Sequence, residues 1–431
     1  MTRTRPLRVA VVARAVMPLH GVGGLERSVH DLVRHLAVKG VQITLITPPP
    51  GPAWRRLSTD PFASPNIVLR HVRYYSFPFA NRRGTTILDR STSYPIFGLR
   101  AGALALSMVR KGDIDIVHGF GAAVLGYARS PERPAPLVFN PQGLEEFGAT
   151  ASKQALFKRL GYTPLRSAVR ACAKAADCVI ATDRALESTV LRHLRIPADR
   201  MRTIPNGIDV AAATALAGPT DGLMLRERHG IAAGETVLLS VGRLEANKGF
   251  DVLAAALARA GRADGALSAR GWRWVIVGRG PYQRDLDRAI ERHGLGRHVL
   301  FAGRVPDTEL HAWYEAATLF VHPTRYEGSS LVTLEAMAHR RAIVASRAGG
   351  LPDKVRSGLN GWLVEPGDAP ALAGAIEDAV SDGSRLAAMG AESRLIVERE
   401  FAWPVLAQTQ IDVYRELLET PRPAGDALGE R

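Results

Sequence analysis

Residues 323–338 read PTRYEGSSLVTLEAMA and directly follow the apolar run LFVH at 319–322. A short apolar run closed by proline reads as a buried strand, and the stretch after it as a helix that Ser329 or Ser330 can cap. Strand, loop and helix in this order are the repeating unit of a parallel α/β sheet. Glu327 and Glu335 stand eight positions apart across the junction, which leaves the first in the loop and puts the second about two turns into the helix. Backbone N–H groups at such a helix start can receive an anion, and an acid there can accept from ribose hydroxyls, as in dinucleotide-binding folds. Two surface glutamates beside an ordinary buried helix would share that spacing, so the pair gains meaning only from its company.

The same pattern extends on both sides. Strand-like runs at 236–241, 274–277, 299–302 and 342–346 alternate with helices, and so do earlier runs at 7–15, 41–46, 67–72, 114–118, 137–140 and 178–182. The clearest early helix is 24–39, with Leu25, Val29, Leu32 and Leu36 near helical spacing. Strands joined by crossover helices make a mostly parallel sheet covered on both faces. The reading is therefore an α/β chain of two Rossmann-like domains, 1–209 and 210–400, facing across a cleft. Turn signals at 206–225, with Asn-Gly and Gly-Pro pairs, mark the expected hinge. In 401–431, Leu406, Ile411, Val413 and Leu417 line an expected helix that packs back toward the N-terminal domain, ended by Pro421 and Pro423 before a frayed tail.

The chain of 431 residues, 46% hydrophobic and 23% charged, has the balance of a globular α/β protein and the length of two domains. Its start, LRVAVVARA, carries Arg8 and Arg14 within the apolar run and reads as a first strand rather than a signal peptide, so a cytoplasmic location is expected. Cys172 and Cys178 are too few for a disulfide scaffold and read as buried, reduced packing residues. The net charge of +14 is uneven: residues 1–209 hold 30 Lys+Arg against 14 Asp+Glu, the remainder 26 against 28. The N-terminal half thus calls for an acidic partner: an anionic membrane surface, a phosphorylated substrate or nucleic acid.

Three further segments keep company with the paired acids. TVLLSVGRLEANKGF sets Arg243 and Lys248 in a loop between a buried strand and a helix, where a planar fork and a mobile point charge together suit a pyrophosphate. WVIVGRGPY ends a strand in the turn Gly278-Arg279-Gly280, a weak signal by itself. FAGRVPDTEL ends a strand at Gly303, with Asp307 able to cap the next helix and backbone near Arg304 and Val305 able to read a base edge.

Taken together, the sequence resembles glycosyltransferase family 4, the retaining enzymes of the GT-B fold. The likeness runs from GVGGLE at 21–26 through NGID at 206–209, GRLEANKG, VGRGP, the paired glutamates and AGGLPD near Gly349. It implies that Arg243 and Lys248 bind donor phosphates, that Glu335 holds the ribose, and that Glu327, Gly328 and the backbone of Ser329, Ser330 and Leu331 hold the sugar and phosphate. The base would lie near Arg304 and Val305, with Gly278 lining the donor site. The donor implied is a nucleotide sugar, UDP-linked first and GDP-linked next, without a further cofactor. One departure bears on the sugar: many members have Phe-Gly where Ser329-Ser330 stands here.

On the acceptor side, the turn at 20–26 presents Gly23 and Gly24 at a helix start, where N–H groups can approach the donor phosphate. DIVHGFG puts His118 at a strand end, the place from which side chains enter the crevice of such sheets. Relatives often carry His-x-His there, whereas this chain has His118-Gly119-Phe120, so His118 itself, Gln142, Glu145 and Glu146 are the candidates to serve in its stead. Asp113-Ile114-Asp115 has the spacing of a metal-binding pair but precedes a strand and reads as a solvated strand entrance; no metal is expected. The stretch SKQALFKRLGYTPLRSAVRAC interleaves Leu156, Phe157, Leu160, Leu165 and Val169 with Lys153, Lys158, Arg159, Arg166 and Arg170, as a helix on an anionic bilayer would. Arg55, Arg56, Arg82 and Arg83, flanked by Trp54, Phe77 and Phe79, could extend that patch. A core-packing helix is the equally common alternative. The expectation is thus a metal-independent transferase acting on a glycan or glycolipid acceptor, peripheral to the inner membrane face and not a nucleic-acid binder. The rival readings are a GT-B enzyme with a soluble acceptor and a non-enzymatic anion- or nucleic-acid-binding protein.

Overall fold

The computed structural model describes residues 5–21, 23–51, 60–75, 85–141, 144, 147, 160–262 and 265–420. They form two compact units: the residues up to Pro205 together with those from Trp403 onward, and Asn206–Ala402.

In the first unit seven parallel strands follow the order β3-β2-β1-β4-β5-β6-β7. They are β1 (Arg8–Val12), β2 (Gln42–Thr47), β3 (Ile67–His71), β4 (Ile116–Phe120), β5 (Leu137–Asn140), β6 (Cys178–Ala181) and β7 (Met201–Thr203). The central strands are apolar on both faces because helices cover both; every residue of β4, β5 and β6 is buried. The helix Gly24–Val38 turns Val29, Leu32, Val33 and Leu36 onto one face, while Leu25, read as part of that stripe, is 40% exposed. Beside it the helix Trp403–Glu419 buries Trp403, Leu406, Ile411, Val413 and Tyr414 in the same core.

The second unit repeats the design with six parallel strands in the order β10-β9-β8-β11-β12-β13. These are β8 (Thr236–Val241), β9 (Trp272–Val277), β10 (Val299–Gly303), β11 (Leu319–His322), β12 (Ile343–Ser346) and β13 (Gly361–Val364).

Several expectations are corrected. The segment 206–225, expected as a hinge of turns, begins at the boundary between the units and is mostly helical within the second. Helix Val210–Ala215 starts on Asp209, whose carboxylate accepts from the Ala212 N–H at 2.9 Å, and Pro219–Arg228 opens with proline at its first turn. Val210 and Leu225 anchor both in the core. Asp115 is no solvated strand entrance: it is an 11% exposed side chain that pairs with Arg8 at 2.9 Å and fixes the start of β1. In the basic stretch, the helix Thr163–Ala175 buries Leu165 and Val169, and Arg170 donates to the His193 carbonyl, so these residues follow the core-packing alternative. Leu160 is exposed; Lys153, Leu156, Phe157, Lys158 and Arg159 lie outside the described residues, as do Trp54, Arg55, Arg56, Phe77, Phe79, Arg82, Arg83 and everything after Thr420. Cys172 and Cys178 are buried and free, with burial pushing both thiols up to about 12.

Candidate active site

In the second unit the strand order reverses between β8 and β11, so the chain departs from their carboxyl ends in opposite directions and leaves a crevice there. Both acid- and base-bearing segments singled out in the sequence leave the sheet at this point, one after β8 and one after β11.

The two loops are stitched together. The Asn247 carbonyl accepts from the Arg325 N–H at 2.7 Å and from the Thr324 hydroxyl at 2.9 Å, while Arg325 donates twice to Asp251 at 2.8 and 2.6 Å. Gly249 has φ +67°, and a Cβ there would lie 2.0 Å from the Pro323 carbonyl oxygen, so glycine is what lets the loops touch. The AGGLPD segment supports them from β12: at Gly349, with φ +52°, a Cβ would lie 1.7 Å from the Glu327 carbonyl oxygen and does not fit, and the Gly350 N–H donates to the Gly328 carbonyl.

This stitching brings Lys248 Nζ to 2.7 Å from Glu327 Oε2. His322, the last residue of β11 and 1% exposed, sets its Nε2 2.8 Å from the same oxygen. Burial pushes the Glu327 carboxyl up, but the hydrogen bond and charge of His322, with the charge of Lys248, outweigh it and hold it down to about 2. Burial also pushes the His322 ring down from its ordinary value, against the pull of Glu327. Facing a carboxylate, the ring carries a proton on Nε2.

The second acid lies one turn into its helix, not two, because Leu331–Ala338 begins four residues before Glu335. Glu335 is 5% exposed and accepts from the Tyr314 hydroxyl at 2.8 Å. Tyr314, on helix Asp307–Ala316, stacks on His339 with ring centroids 5.7 Å apart. Ser330 occupies the cap position without capping: its hydroxyl meets Thr333 at 2.9 Å. Ser329 and Gly328 lie half-buried in the same loop, next to Leu331.

Not every expected residue joins Glu327. Arg243 is 75% exposed and pairs with Glu245 at 3.0 Å. Gly278, at φ +143°, follows β9 and lies against Gly242, where a Cβ would come within 1.9 Å of its carbonyl oxygen. Arg304 is exposed and Val305 half-buried just past β10. Helix Asp307–Ala316 begins at Asp307 with Pro306 in the cap position, so Asp307 is not the cap. Among the described residues no group of three His, Cys, Asp or Glu is placed to hold a metal ion.

In the first unit Gly23 occupies the cap position of helix Gly24–Val38 and Gly24 its first turn; a Cβ on Gly23 would meet a Glu26 carboxylate oxygen at 2.4 Å. His118 is corrected. It is the middle residue of β4, 1% exposed, with Nδ1 2.6 Å from the Tyr414 hydroxyl and Nε2 unpartnered. Burial pushes its pKa down to about 3. The ring is thus buried within β4 and bonded to Tyr414, not set at the strand end where the sequence placed it. Gln142, Glu145 and Glu146 lie outside the described residues.

Two side chains at the site went unread in the sequence, His322 and Tyr314. His322 left a trace, as the one polar residue of LFVH five positions before Glu327. Tyr314, far from Glu335 in sequence, left none, because its facing depends on how two helices pack.

The profile described as Glycosyltransferase Family 4 matches residues 22–212, and that described as Glycosyl transferases group 1 matches residues 224–395. The chain is 30% identical over 430 residues to a D-inositol 3-phosphate glycosyltransferase 1 of Catenulispora acidiphila, covering 97% of each protein. Over 238 residues it is 33% identical to a GDP-mannose-dependent alpha-(1-6)-phosphatidylinositol monomannoside mannosyltransferase of Mycolicibacterium smegmatis, covering 53% of this chain and 59% of that protein. Among solved structures, sucrose-phosphate synthase from Thermosynechococcus elongatus matches with TM-score 0.74 and 25% identity over 95% of this chain and 99% of that one.

Proposed function

The chain belongs to glycosyltransferase family 4, with the GT-B fold of two Rossmann-like units, and on that premise we propose that it is a retaining, metal-independent enzyme that moves a sugar from a nucleoside diphosphate, uridine before guanosine, to a hydroxyl of an anionic acceptor. The observation that carries this is the meeting of Lys248, His322 and Glu327 where strand order reverses, with Glu335 one turn into the adjoining helix. In this reading Arg243 and Lys248 neutralise the diphosphate, the uncapped helix start adds N–H donors, and Glu335 accepts from the ribose. The acceptor oxygen bonds to the anomeric carbon on the face the phosphate leaves, and its proton passes to the departing phosphate oxygen.

The positive charge of residues 1–209 favours an acceptor that is lipid-linked at a membrane surface or part of a surface glycan. A phosphorylated soluble acceptor is the second reading, favoured by the name of the relative that acts on D-inositol 3-phosphate.

Thermal unfolding with UDP, GDP, ADP and their common sugars, for wild type and Glu335→Ala, tests the donor site, because a ligand that binds the folded chain raises its melting temperature. Stabilisation by one nucleotide that is lost in Glu335→Ala is expected; a folded wild type that responds to none of them overturns the reading.

A further inference from the structure

Glu327 offers two oxygens, and they are treated differently. Oε2 accepts from both Lys248 Nζ at 2.7 Å and His322 Nε2 at 2.8 Å, whereas Oε1 has only a long contact of 3.3 Å from the neighbouring Gly328 N–H. Lys248 sits on a flexible stem and, in the reading above, also serves the diphosphate, so it is a poor sole anchor for the carboxylate's orientation. His322 is the opposite kind of group. Its ring is 1% exposed, is held at the end of a strand paired on both sides, and stacks on Phe320 with centroids 6.0 Å apart. Its Nδ1 is buried with no partner, so the only hydrogen bond of the ring is the one to Glu327. Burying an imidazole with one nitrogen unmatched costs stability, and a phenylalanine there would avoid that cost.

We propose that His322 is a positioning residue that clamps one oxygen of Glu327 and thereby presents the other to a hydroxyl of the donor sugar. This rests on the assignment of Glu327 to the sugar. With the ring rigid and its proton on Nε2, the carboxylate plane is set before the donor arrives, and no rotamer freedom is lost on binding. The contribution belongs to the sugar and not to the nucleotide, so it is absent when the ligand is a bare nucleoside diphosphate.

Calorimetric binding of UDP-glucose, GDP-mannose and ADP-glucose, each beside its own nucleoside diphosphate, would be measured for wild type, His322→Phe, His322→Gln and Glu327→Gln. The wild type selects the pair. Expected is a loss of about tenfold in affinity for the nucleotide sugar in His322→Phe, the scale of one charge-assisted hydrogen bond, with the bare diphosphate unchanged within about twofold. His322→Gln, whose amide N–H can reach the carboxylate, should recover most of that loss. If Glu327→Gln weakens the sugar nucleotide and His322→Phe does not, the positioning role is overturned. Equal loss of both ligands in His322→Phe without rescue by glutamine also overturns it, since that is what a merely structural histidine would do. Absence of any sugar-specific effect in Glu327→Gln, or of donor binding by the wild type, instead overturns the assignment of Glu327 on which the proposal rests.

Discussion

At residue scale, the two glutamates of the site are each hydrogen-bonded to a buried neighbour, Glu327 to His322 and Glu335 to Tyr314. The tyrosine hydroxyl also lies 3.2 Å from the Val332 carbonyl, so removing it loosens Glu335 and the first helical turn together. Tyr314→Phe, which keeps the ring packing on His339, is expected to weaken nucleoside diphosphate binding by about three- to tenfold, measured by calorimetry, with the ratio between sugar nucleotide and diphosphate unchanged. A change in that ratio would place Glu335 at the sugar. Glu327 and Lys248 were legible in the sequence because charged residues in a loop between a buried strand and a helix have few places to go, and Glu335 because it is the one charged residue of the apolar helix that follows. The partners were not, since a polar residue ending a strand and a tyrosine in a helix are both ordinary core residues until their neighbours are known. The misreading of His118 has the same root: the strand runs two residues further than its apolar run suggested, which moves the ring from the rim into the core.

At the scale of elements, the strands of both sheets stood out because β-branched apolar runs bounded by helices leave few alternatives, and most boundaries agree within two residues. The two strands unread were β7, MRT, and β13, GWLV, short edge strands whose burial is only partial. The helix Trp403–Glu419 is tied to the first sheet by Tyr414, whose hydroxyl meets His118. His118→Phe leaves that hydroxyl buried without its partner and is expected to cost about 1 kcal/mol in urea unfolding, with the His118→Phe/Tyr414→Phe double variant recovering much of it. The pair also sets an acid limit. The folded ring takes up its proton only near pH 3, whereas an unfolded histidine does so near 6.5. The unfolded chain therefore binds more protons between those values, so the contribution is complete above pH 6.5 and is lost as pH falls toward 3. In His118→Phe that part of the acid dependence should vanish; an unchanged pH profile of unfolding would show that another group sets it.

At the scale of the whole molecule, the charge split is the one feature of the sequence that neither the fold nor the proposed donor site absorbs, since the second unit carries the residues proposed for that site at near-neutral balance while residues 1–209 carry +16. Self-repulsion of that size destabilises a compact unit, and the helix Thr163–Ala175 of the basic stretch turns Leu165 and Val169 inward, so those side chains do not serve bilayer insertion. What remains is attraction across solvent. Each Lys or Arg held near an anionic leaflet contributes about 1 kcal/mol, fading within a Debye length of roughly 10 Å at 0.1 M salt. Binding of this kind is steep in salt and indifferent to chain composition. The protein is expected to sediment with phosphatidylserine-containing vesicles at about 50 mM salt and to remain in solution at about 500 mM, and to ignore vesicles of phosphatidylcholine alone at both. Sedimentation that survives high salt would mean insertion of apolar side chains instead. A protein that stays in solution with anionic vesicles even at low salt would move the positive field from the membrane to the acceptor itself, and with it the choice of acceptor from a lipid-linked glycan to a soluble phosphorylated one.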